Sequence, residues 1–174
     1  MLKILSGKYK GTKLDSISLN SLRPTQAIVK KSIMDSIMFF DNKVVLDLYC
    51  GIGTLGLEAL SRGAKKVKFV DNNYKVLTCL SKNVNKLKLD AQCELVKSDV
   101  GKYIDSDLKQ YDIIFADPPY KKDCFFEVFP FVKKSLNKNG IFVYESKKKD
   151  FNLDEDIKVK YFGSTQILIW KQTI

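Results

Sequence analysis

The chain has 174 residues, a length typical of one domain with a single hydrophobic core. Hydrophobic residues make up 45% of the sequence, which excludes an intrinsically disordered chain. The formal net charge of +10 favours binding to a polyanion such as nucleic acid, although a generally lysine-rich composition would produce the same charge.

Several residue types and motifs are absent from the sequence, and their absence excludes some kinds of catalytic and metal site. The chain has no histidine, which excludes imidazole as a base or a metal ligand. Its four cysteines form no CxxC pair, so we expect reduced, mostly buried thiols, no metal site and no disulfide framework. No apolar run is long enough to span a bilayer, and residues 1–14 lack the apolar segment of a signal peptide. We therefore expect a cytoplasmic protein without membrane contact.

The first part of the sequence predicts a small extension. Residues 2–15 are typical of a short hairpin with a glycine turn, and a helical pattern then opens with Thr25 as its predicted N-cap. We expect residues 1–40 to form this extension and residues 41–174 to form the catalytic domain, the two making one compact unit.

From Lys43 onward, short apolar runs alternate with amphipathic segments. The runs KVVLDLY, VKFVD, CELVKSD, YDIIFAD and IFVYES predict strands, and residues 54–61, 74–89 and 125–136 predict helices, the last interrupted at Pro130. The segments IKVKYFG and TQILIWK are typical of a closing hairpin. This order predicts an α/β fold with a mostly parallel, seven-stranded sheet covered on both faces and an antiparallel C-terminal edge.

A glycine-rich loop, Asp47-Leu-Tyr-Cys-Gly51-Ile-Gly53-Thr-Leu-Gly56, follows the first of these strands and opens a helix. Glycines let the backbone approach a ligand, and the helix start offers free N–H groups. The spacing also fits a dinucleotide site, so NAD is a rival ligand. Asp47 argues against NAD, because a carboxylate there would repel a pyrophosphate but attract the cationic amine of S-adenosylmethionine.

Two further carboxylates end the next two strands. Asp71 stands where an acidic residue of a doubly wound fold bonds the ribose hydroxyls, and Asp99 stands where a carboxylate can accept from the N6 amino group of adenine. Purely structural roles remain open for both, as a turn residue and as a helix N-cap respectively, and Asp47 could simply support its loop.

The motif Asp117-Pro118-Pro119-Tyr120 directly follows the fourth strand. Prolines remove backbone donors, so the loop offers carbonyl and carboxylate acceptors beside an aromatic ring. Such a site suits an amino group on a planar base: Asp117 and the Pro118 carbonyl would accept its N–H bonds, and Tyr120 would stack on the ring. Catalysis would come from alignment and electrostatics. The alternative is a rigid turn without chemistry.

These motifs resemble those of the bacterial 16S rRNA (guanine-N2)-methyltransferase family. The matching stretches are ILSGKYKGTKL, LRPTQAIVKKSIMDSI, DLYCGIGTLGLEALSRGA, DPPY and VYES, in the family's order from near residue 3 to the end. The resemblance implies a Rossmann-like class I methyltransferase that uses S-adenosylmethionine to methylate the exocyclic N2 of a guanine in 16S rRNA. One departure is Lys30-Lys31, where the family usually has an Arg-Glu pair.

The resemblance also implies roles for individual residues. Asp117, Pro118, Pro119 and Tyr120 would hold the guanine. The methyl donor would contact Asp47, Tyr49, Cys50, Gly51, Gly53, Thr54, Asp71, Asn72, Asp99 and Val100, together with Arg23 and Thr25.

We predict that RNA phosphates contact basic residues of the extension, with Lys3 as a further candidate: Lys8, Lys10, Lys13, Arg23, Lys30 and Lys31. The expected partner is 16S rRNA, within an assembled or assembling small ribosomal subunit, and nothing in the sequence demands more than a monomer.

Other functions remain open. An N6-adenine methyltransferase acting on DNA or RNA is the main alternative, but a DNA enzyme that reads a sequence needs a recognition domain for which this chain has no room. Protein glutamine methyltransferases usually have Asn where this chain has Asp117. A silent nucleic-acid-binding module would not need an intact DPPY motif, and an NAD-dependent oxidoreductase would need catalytic residues that we do not find.

Overall fold

The computed structural model describes residues 2–17, 24–107, 109–119, 124–151 and 156–173. Of residues 24–26 it describes the backbone alone. Within them, helices and strands alternate as far as β5, and two more strands follow it. In chain order the elements are α1 (Pro24–Asp35), β1 (Val44–Leu48), α2 (Thr54–Ser61), β2 (Lys66–Asp71), α3 (Tyr74–Leu87), β3 (Cys93–Lys97), α4 (Val100–Ser106), β4 (Tyr111–Ala116), α5 (Phe125–Ser135), β5 (Leu136–Lys147), β6 (Lys158–Phe162) and β7 (Thr165–Lys171).

The strands of the described residues form one seven-stranded sheet in the order β3-β2-β1-β4-β5-β7-β6. Strands β1 to β5 pair in parallel, and β7 lies antiparallel between β5 and β6. The strand order reverses beside β1, where the chain crosses from β3 on one side to β4 on the other. The expected α/β fold with an antiparallel C-terminal edge is confirmed.

Alternate residues of the central strands pack into two hydrophobic layers, as the period of a strand requires. On one face, Val45, Phe69 and Phe115 contact α1, α2 and α3. On the other face, Leu46 and Tyr144 belong to a layer built with α4 and α5. Both faces of the sheet are therefore covered, which explains why the strands are continuous apolar runs.

The extension packs on the outside of α2. Residues 2–14 form a short hairpin with a bridge between Lys3 and Lys13, and its turn rests on the last residue of α2, since the Lys8 N–H donates to the Ser61 carbonyl at 2.7 Å. The fully buried Glu58 carboxylate accepts the N–H groups of Leu5 (2.8 Å) and Ser6 (2.9 Å). It therefore anchors the hairpin to α2.

Several boundaries differ from the sequence-based prediction. Helix α1 begins at Pro24, so Thr25 is its second residue and not the N-cap. Helix α3 ends at Leu87, because Lys88 adopts the left-handed conformation that closes a helix. Helix α5 continues through Pro130; stacking of Phe125 on Phe129 (ring centroids 4.9 Å apart) keeps the turn before the proline against the sheet.

The prediction also missed some structure. Helix α4 lies between β3 and β4 and is not among the predicted helices, since seven residues are too few to show a clear helical period. Strand β5 begins at Leu136, five residues before the predicted start at Ile141, and its pairing with β4 is irregular between these positions. Gly140 therefore lies within the strand and does not precede it.

Candidate active site

The predicted site residues meet at one edge of the sheet. The glycine loop follows β1, Asp71 ends β2, Asp99 follows β3 and Asp117 follows β4, and these four parallel strands are neighbours in the sheet. Parallel strands about 4.8 Å apart bring their carboxyl ends within about 15 Å of one another. Ligands of open α/β sheets bind at this edge where the strand order reverses, which is the position of the loop after β1.

Two positions of the glycine loop require glycine, one for its backbone conformation and one for close packing. Gly53 has φ +79° and precedes the first residue of α2, a conformation that L side chains rarely adopt. Gly56 lies in the first turn of α2 against the Phe69 ring and Val67, where a Cβ atom would come within 2.8 Å of the Val67 side chain. The glycine pattern therefore sets the loop's shape and the close packing of α2 on β2.

Asp47 lies beneath the loop with 2% of its surface exposed. Its Oδ2 accepts the N–H of Gly56 at 2.9 Å, so the carboxylate holds the first turn of α2. Burial, and then the nearby Asp71 carboxylate, raise the pKa of Asp47 to about 8. The Oδ1 atom accepts no hydrogen bond from the described part of the chain. Asp47 thus has the structural role considered for it, and one carboxylate oxygen is available for a cation.

Asp71 connects β2 to the glycine loop. Its Oδ2 accepts the N–H of Gly51 at 2.9 Å, and its Oδ1 accepts the N–H of Asn73 at 2.8 Å. Each oxygen retains a second lone pair that could accept from a hydroxyl. Asn72, which stands between Asp71 and Asn73 in the sequence, is exposed at the same edge of the sheet. The geometry is compatible with the predicted ribose contact.

Asp99 is the N-cap of α4, since its Oδ1 accepts the N–H groups of Gly101 (3.0 Å) and Lys102 (3.4 Å). The structural alternative considered for Asp99 is therefore real, but it uses only one of the two carboxylate oxygens. The following residue, Val100, is 2% exposed and belongs to the layer of α4 and α5. Its side chain supports the end of β3.

Tyr49 and Cys50, the two residues before Gly51, are largely engaged with protein. Tyr49 has φ +57°, an uncommon conformation for a residue with a side chain, and its ring packs on the layer of α4 and α5. The Tyr49 hydroxyl is buried beside the Cys124 thiol, and burial raises its pKa. Cys50 is 8% exposed, and its N–H donates to the Val70 carbonyl at 3.1 Å. Thr54, the first residue of α2, is half-buried.

Asp117 is joined to the end of β1, the strand that leads into the glycine loop, because its N–H donates to the carbonyl of Leu48 at 3.4 Å. The residue is open to solvent, yet protein closely surrounds its carboxyl group. Burial first, then the carboxylates of Glu145 and Asp47, raise the pKa of Asp117 well above its ordinary value. Pro118 is buried and Pro119 is exposed, whereas Tyr120 lies outside the described residues.

Glu145 was not predicted as a site residue, although it belongs to the VYES stretch. Its neighbour Tyr144 pairs with Ala116, so Glu145 and Asp117 occupy the next register position of adjacent strands and share one face of the sheet. Only this register reveals the pair, since 28 positions separate the two residues in sequence. No group of three or more potential metal ligands occurs in the part of the chain that the structure describes.

The basic residues predicted to contact RNA do not share one surface. Lys30 is 7% exposed, its ammonium donates to the Lys3 carbonyl at 3.0 Å, and it lies 3.6 Å from the Glu58 carboxylate. Burial lowers the pKa of Lys30. Because this ammonium is committed to the fold, the assignment of Lys30 to RNA is wrong. The exposed Lys31 pairs with Asp35 at 2.6 Å.

Lys8 and Lys10 are exposed but lie far from the site. The turn that carries them rests on Ser61, at the end of α2. Helix α2 begins at the ligand-binding edge of the sheet, so its end lies at the opposite edge, about 10 Å away along the helix. Lys13 is also exposed. Arg23 lies outside the described residues, and of Thr25 only the backbone is described.

Among the described residues, no helix is long and apolar enough to cross a membrane.

Comparison with known proteins identifies the family of this chain. The model of the family described as conserved hypothetical protein 95 matches residues 2–171. The Bacillus subtilis protein YlbH is 30% identical over 183 residues, covering 98% of this chain and 99% of YlbH. Ribosomal RNA small subunit methyltransferase D of Haemophilus influenzae is 34% identical over 123 residues, covering 68% of this chain and 64% of that protein.

The fold has close counterparts among solved structures. The yhhF protein of Escherichia coli superimposes with a TM-score of 0.88 at 23% identity, covering 99% of this chain and 98% of that chain. This likeness confirms the Rossmann-like class I methyltransferase fold. By the match of the family model over almost its whole length, the chain belongs to the conserved hypothetical protein 95 family, and the resemblance to bacterial 16S rRNA methyltransferases is confirmed.

Proposed function

We propose that the protein transfers a methyl group from S-adenosylmethionine to the exocyclic N2 of a guanine in the RNA of the small ribosomal subunit. The observation that carries this proposal is the bond from the Asp117 N–H to the Leu48 carbonyl, because it sets a motif of acceptors directly beside the glycine loop. Family relatives that are named as small-subunit ribosomal RNA methyltransferases support the choice of substrate.

The residues at the edge fit S-adenosylmethionine. Gly51 has φ +54° and open space where its Cβ would stand, so the loop can lie against a ligand. Asp71 has lone pairs for the ribose, the second oxygen of Asp99 is available for adenine, and Asp47 can pair with the ammonium group. When bound, the donor would supply an electrophilic methyl carbon on a sulfonium.

The chain's own residues would orient the acceptor. The lone pair of a guanine N2 is delocalised into the ring, so the amine is a poor nucleophile. The Asp117 carboxylate and the Pro118 carbonyl would each accept one N–H bond of this amine, which turns its lone pair away from the ring plane and toward the methyl group. Tyr120 would stack on the base. Asp117 or water takes the proton once the nitrogen carries the methyl group.

The proposed substrate also bears on how the protein recognises RNA and on where it acts. Little of the chain lies outside the sheet and its covering helices, so recognition would rest on RNA shape and on a base turned out of its stack. We infer that residues 1–40 pack on residues 41–174 as one compact unit, and that the protein acts as a monomer in the cytoplasm on an assembled or assembling subunit.

The test measures methyl transfer from labelled S-adenosylmethionine to small-subunit particles from a strain that lacks the gene, followed by mass spectrometry of the nucleosides. We expect N2-methylguanosine as the product. N6-methyladenosine would instead establish the adenine alternative, and the absence of methyl transfer to any ribosomal RNA would refute the proposal.

Two asparagine variants, one within β4 and one directly after it, make the test specific to the site. Asp117→Ala should lower turnover about 100- to 1,000-fold with donor affinity nearly unchanged, and Asp117→Asn should retain part of the activity through its one acceptor oxygen. Asp112 lies on β4 at the opposite edge and accepts the N–H of Val44. Asp112→Asn keeps that acceptor and should retain normal turnover.

A further inference from the structure

Three consecutive lysines extend β5 beyond the candidate active site. Lys147 is the last residue of the strand, Lys148 and Lys149 follow it, and all three are exposed. Strand β5 is the direct neighbour of β4, which carries Asp117. Because Tyr144 pairs with Ala116 and a strand rises about 3.3 Å per residue, Lys147 lies about 7 Å beyond the level of Asp117, where the DPPY motif starts.

The backbone under these lysines is held firmly. The side chain of Gln166, 1% exposed, accepts the Lys149 N–H at 3.3 Å and donates to the Lys149 carbonyl at 3.0 Å. The Lys148 N–H donates to the Ser164 carbonyl at 2.8 Å. The lysines therefore project from a fixed backbone at the ligand-binding edge, unlike Lys8 and Lys10 at the other edge.

Aromatic rings lie beside two of these lysines. The Lys148 ammonium is 5.1 Å from the ring centroid of Tyr161, which is 59% exposed. The Lys149 ammonium is 4.4 Å from the ring of Phe151, and that ring lies 6.2 Å from Phe126, which is 62% exposed. We refer to this region as the basic–aromatic surface, and it consists of Lys147, Lys148, Lys149, Phe126 and Tyr161.

Several other lysines of the chain are neutralised locally. Lys66, Lys68 and Lys109 surround Glu94 at 3.0 to 3.9 Å, and Lys86 pairs with Asp15 at 3.2 Å. Lys147 and Lys148 form no ion pair with any residue of the described ranges. Their charge is therefore directed to solvent beside the place where the target base would bind.

We propose that the basic–aromatic surface binds the RNA strand that flanks the target base, with Lys147 and Lys148 at phosphates and with Tyr161 and Phe126 stacked on flanking bases. The inference rests on the proposed function and moves the RNA contact from the extension to the end of β5. Exposed aromatic rings beside exposed lysines suit single-stranded RNA, because phosphates carry the charge and every base offers a flat face.

Two double variants that remove the same charge test this surface. Lys147→Ala with Lys148→Ala changes the proposed surface, and Lys8→Ala with Lys10→Ala changes the opposite edge. The first probe is a fluorescent single-stranded RNA of about 12 nucleotides, a length within the usual span of such sites. Its affinity is measured by anisotropy over a series of salt concentrations. The second measurement is methyl transfer to unmodified small-subunit particles.

We expect the Lys147/Lys148 variant to bind the RNA probe more weakly and to lose about 1.4 from the slope of log affinity against log salt, about 0.7 per phosphate contact. Its KM for particles should rise, while kcat at saturating particles and affinity for the donor stay unchanged. The Lys8/Lys10 variant should match the wild type. Tyr161→Ala should weaken RNA binding about 5- to 100-fold, and Tyr161→Phe should not.

Equal losses in both double variants would overturn the inference, because they would reflect net charge and not a particular surface. A raised KM for particles with unchanged affinity for the RNA probe would overturn it as well, since the surface would then contact a ribosomal protein. Failure of the wild type to methylate any particle would refute the proposed function alone, because the RNA-probe measurement does not depend on methyl transfer.

Discussion

The Oδ2 atom of Asp47 accepts the N–H of Gly56 at 2.9 Å, which ties the end of β1 to the first turn of α2. The carboxyl group is buried under the glycine loop and its pKa is raised to about 8 by burial and by Asp71. Asp47, which we expect to bind the methyl donor, therefore also holds the glycine loop in place. The ionisation state of its carboxyl group affects both the binding of the donor and the stability of the loop.

The first prediction concerns the pH dependence of stability without ligand. Between the ordinary carboxyl pKa and about 8, folded Asp47 keeps a proton that the unfolded chain has lost, so stability falls as pH rises through this range. The contribution is about 2 to 3 kcal/mol between pH 6 and 8. Asp47→Asn removes the titration and keeps an acceptor for Gly56, so its urea-unfolding free energy should decline less. Parallel curves for the two proteins would contradict the raised pKa.

The second prediction concerns proton release on donor binding. An ammonium group beside Asp47 favours the ionised carboxylate, so binding of S-adenosylmethionine at pH 7 should release protons from the wild type. Calorimetry in two buffers with different ionisation enthalpies measures this number. Asp47→Asn should bind with fewer protons released. An unchanged number in the variant would show that Asp47 does not face the amine.

The third prediction concerns Asp71. Asp71→Ala removes the acceptor for the Gly51 N–H and for the ribose, so affinities for S-adenosylmethionine and for its demethylated product should both fall about 10- to 100-fold. Thr78→Ala, at an exposed position of α3, is the control and should bind normally. Calorimetry that finds normal affinity in Asp71→Ala would remove Asp71 from the cofactor site.

The fourth prediction concerns the pH dependence of turnover. Asp117 must be ionised to accept from the amine, so kcat should rise with pH through the raised pKa of Asp117. Glu145→Gln removes a negative neighbour, which lowers that pKa and moves the acidic limb of the profile to lower pH. The profile is measured at saturating particles and donor. A shift to higher pH, or none, would mean that Glu145 does not act on Asp117.

The fifth prediction concerns the extension. Glu58→Ala leaves the buried Lys30 ammonium and the N–H groups of Leu5 and Ser6 without their acceptor, which should cost about 3 to 5 kcal/mol of unfolding free energy. Asp35→Ala breaks an exposed ion pair of the same chemistry and should change stability little. Denaturant unfolding compares the two, and equal small losses would show that Glu58 does not anchor the hairpin.

The sequence by itself was sufficient for the fold class and for the edge where the site lies. The strands are short apolar runs, and the candidate carboxylates Asp71, Asp99 and Asp117 stand at or just after the ends of three of them. Periodicity and position after a strand are local properties, so they can be read without coordinates. The family motifs are local in the same sense, because each is a contiguous stretch.

Only the tertiary structure decided which side chains face each other and which face water. The burial of Lys30 against Glu58 and the approach of the Glu145 carboxylate to Asp117 depend on packing between segments far apart in sequence. A lysine in a helical pattern has the same local signature whether it is buried or exposed. The position of Lys147–Lys149 beside the candidate active site likewise follows from the register of β5 on β4. Strand pairing is a non-local interaction, so residue type alone does not determine it.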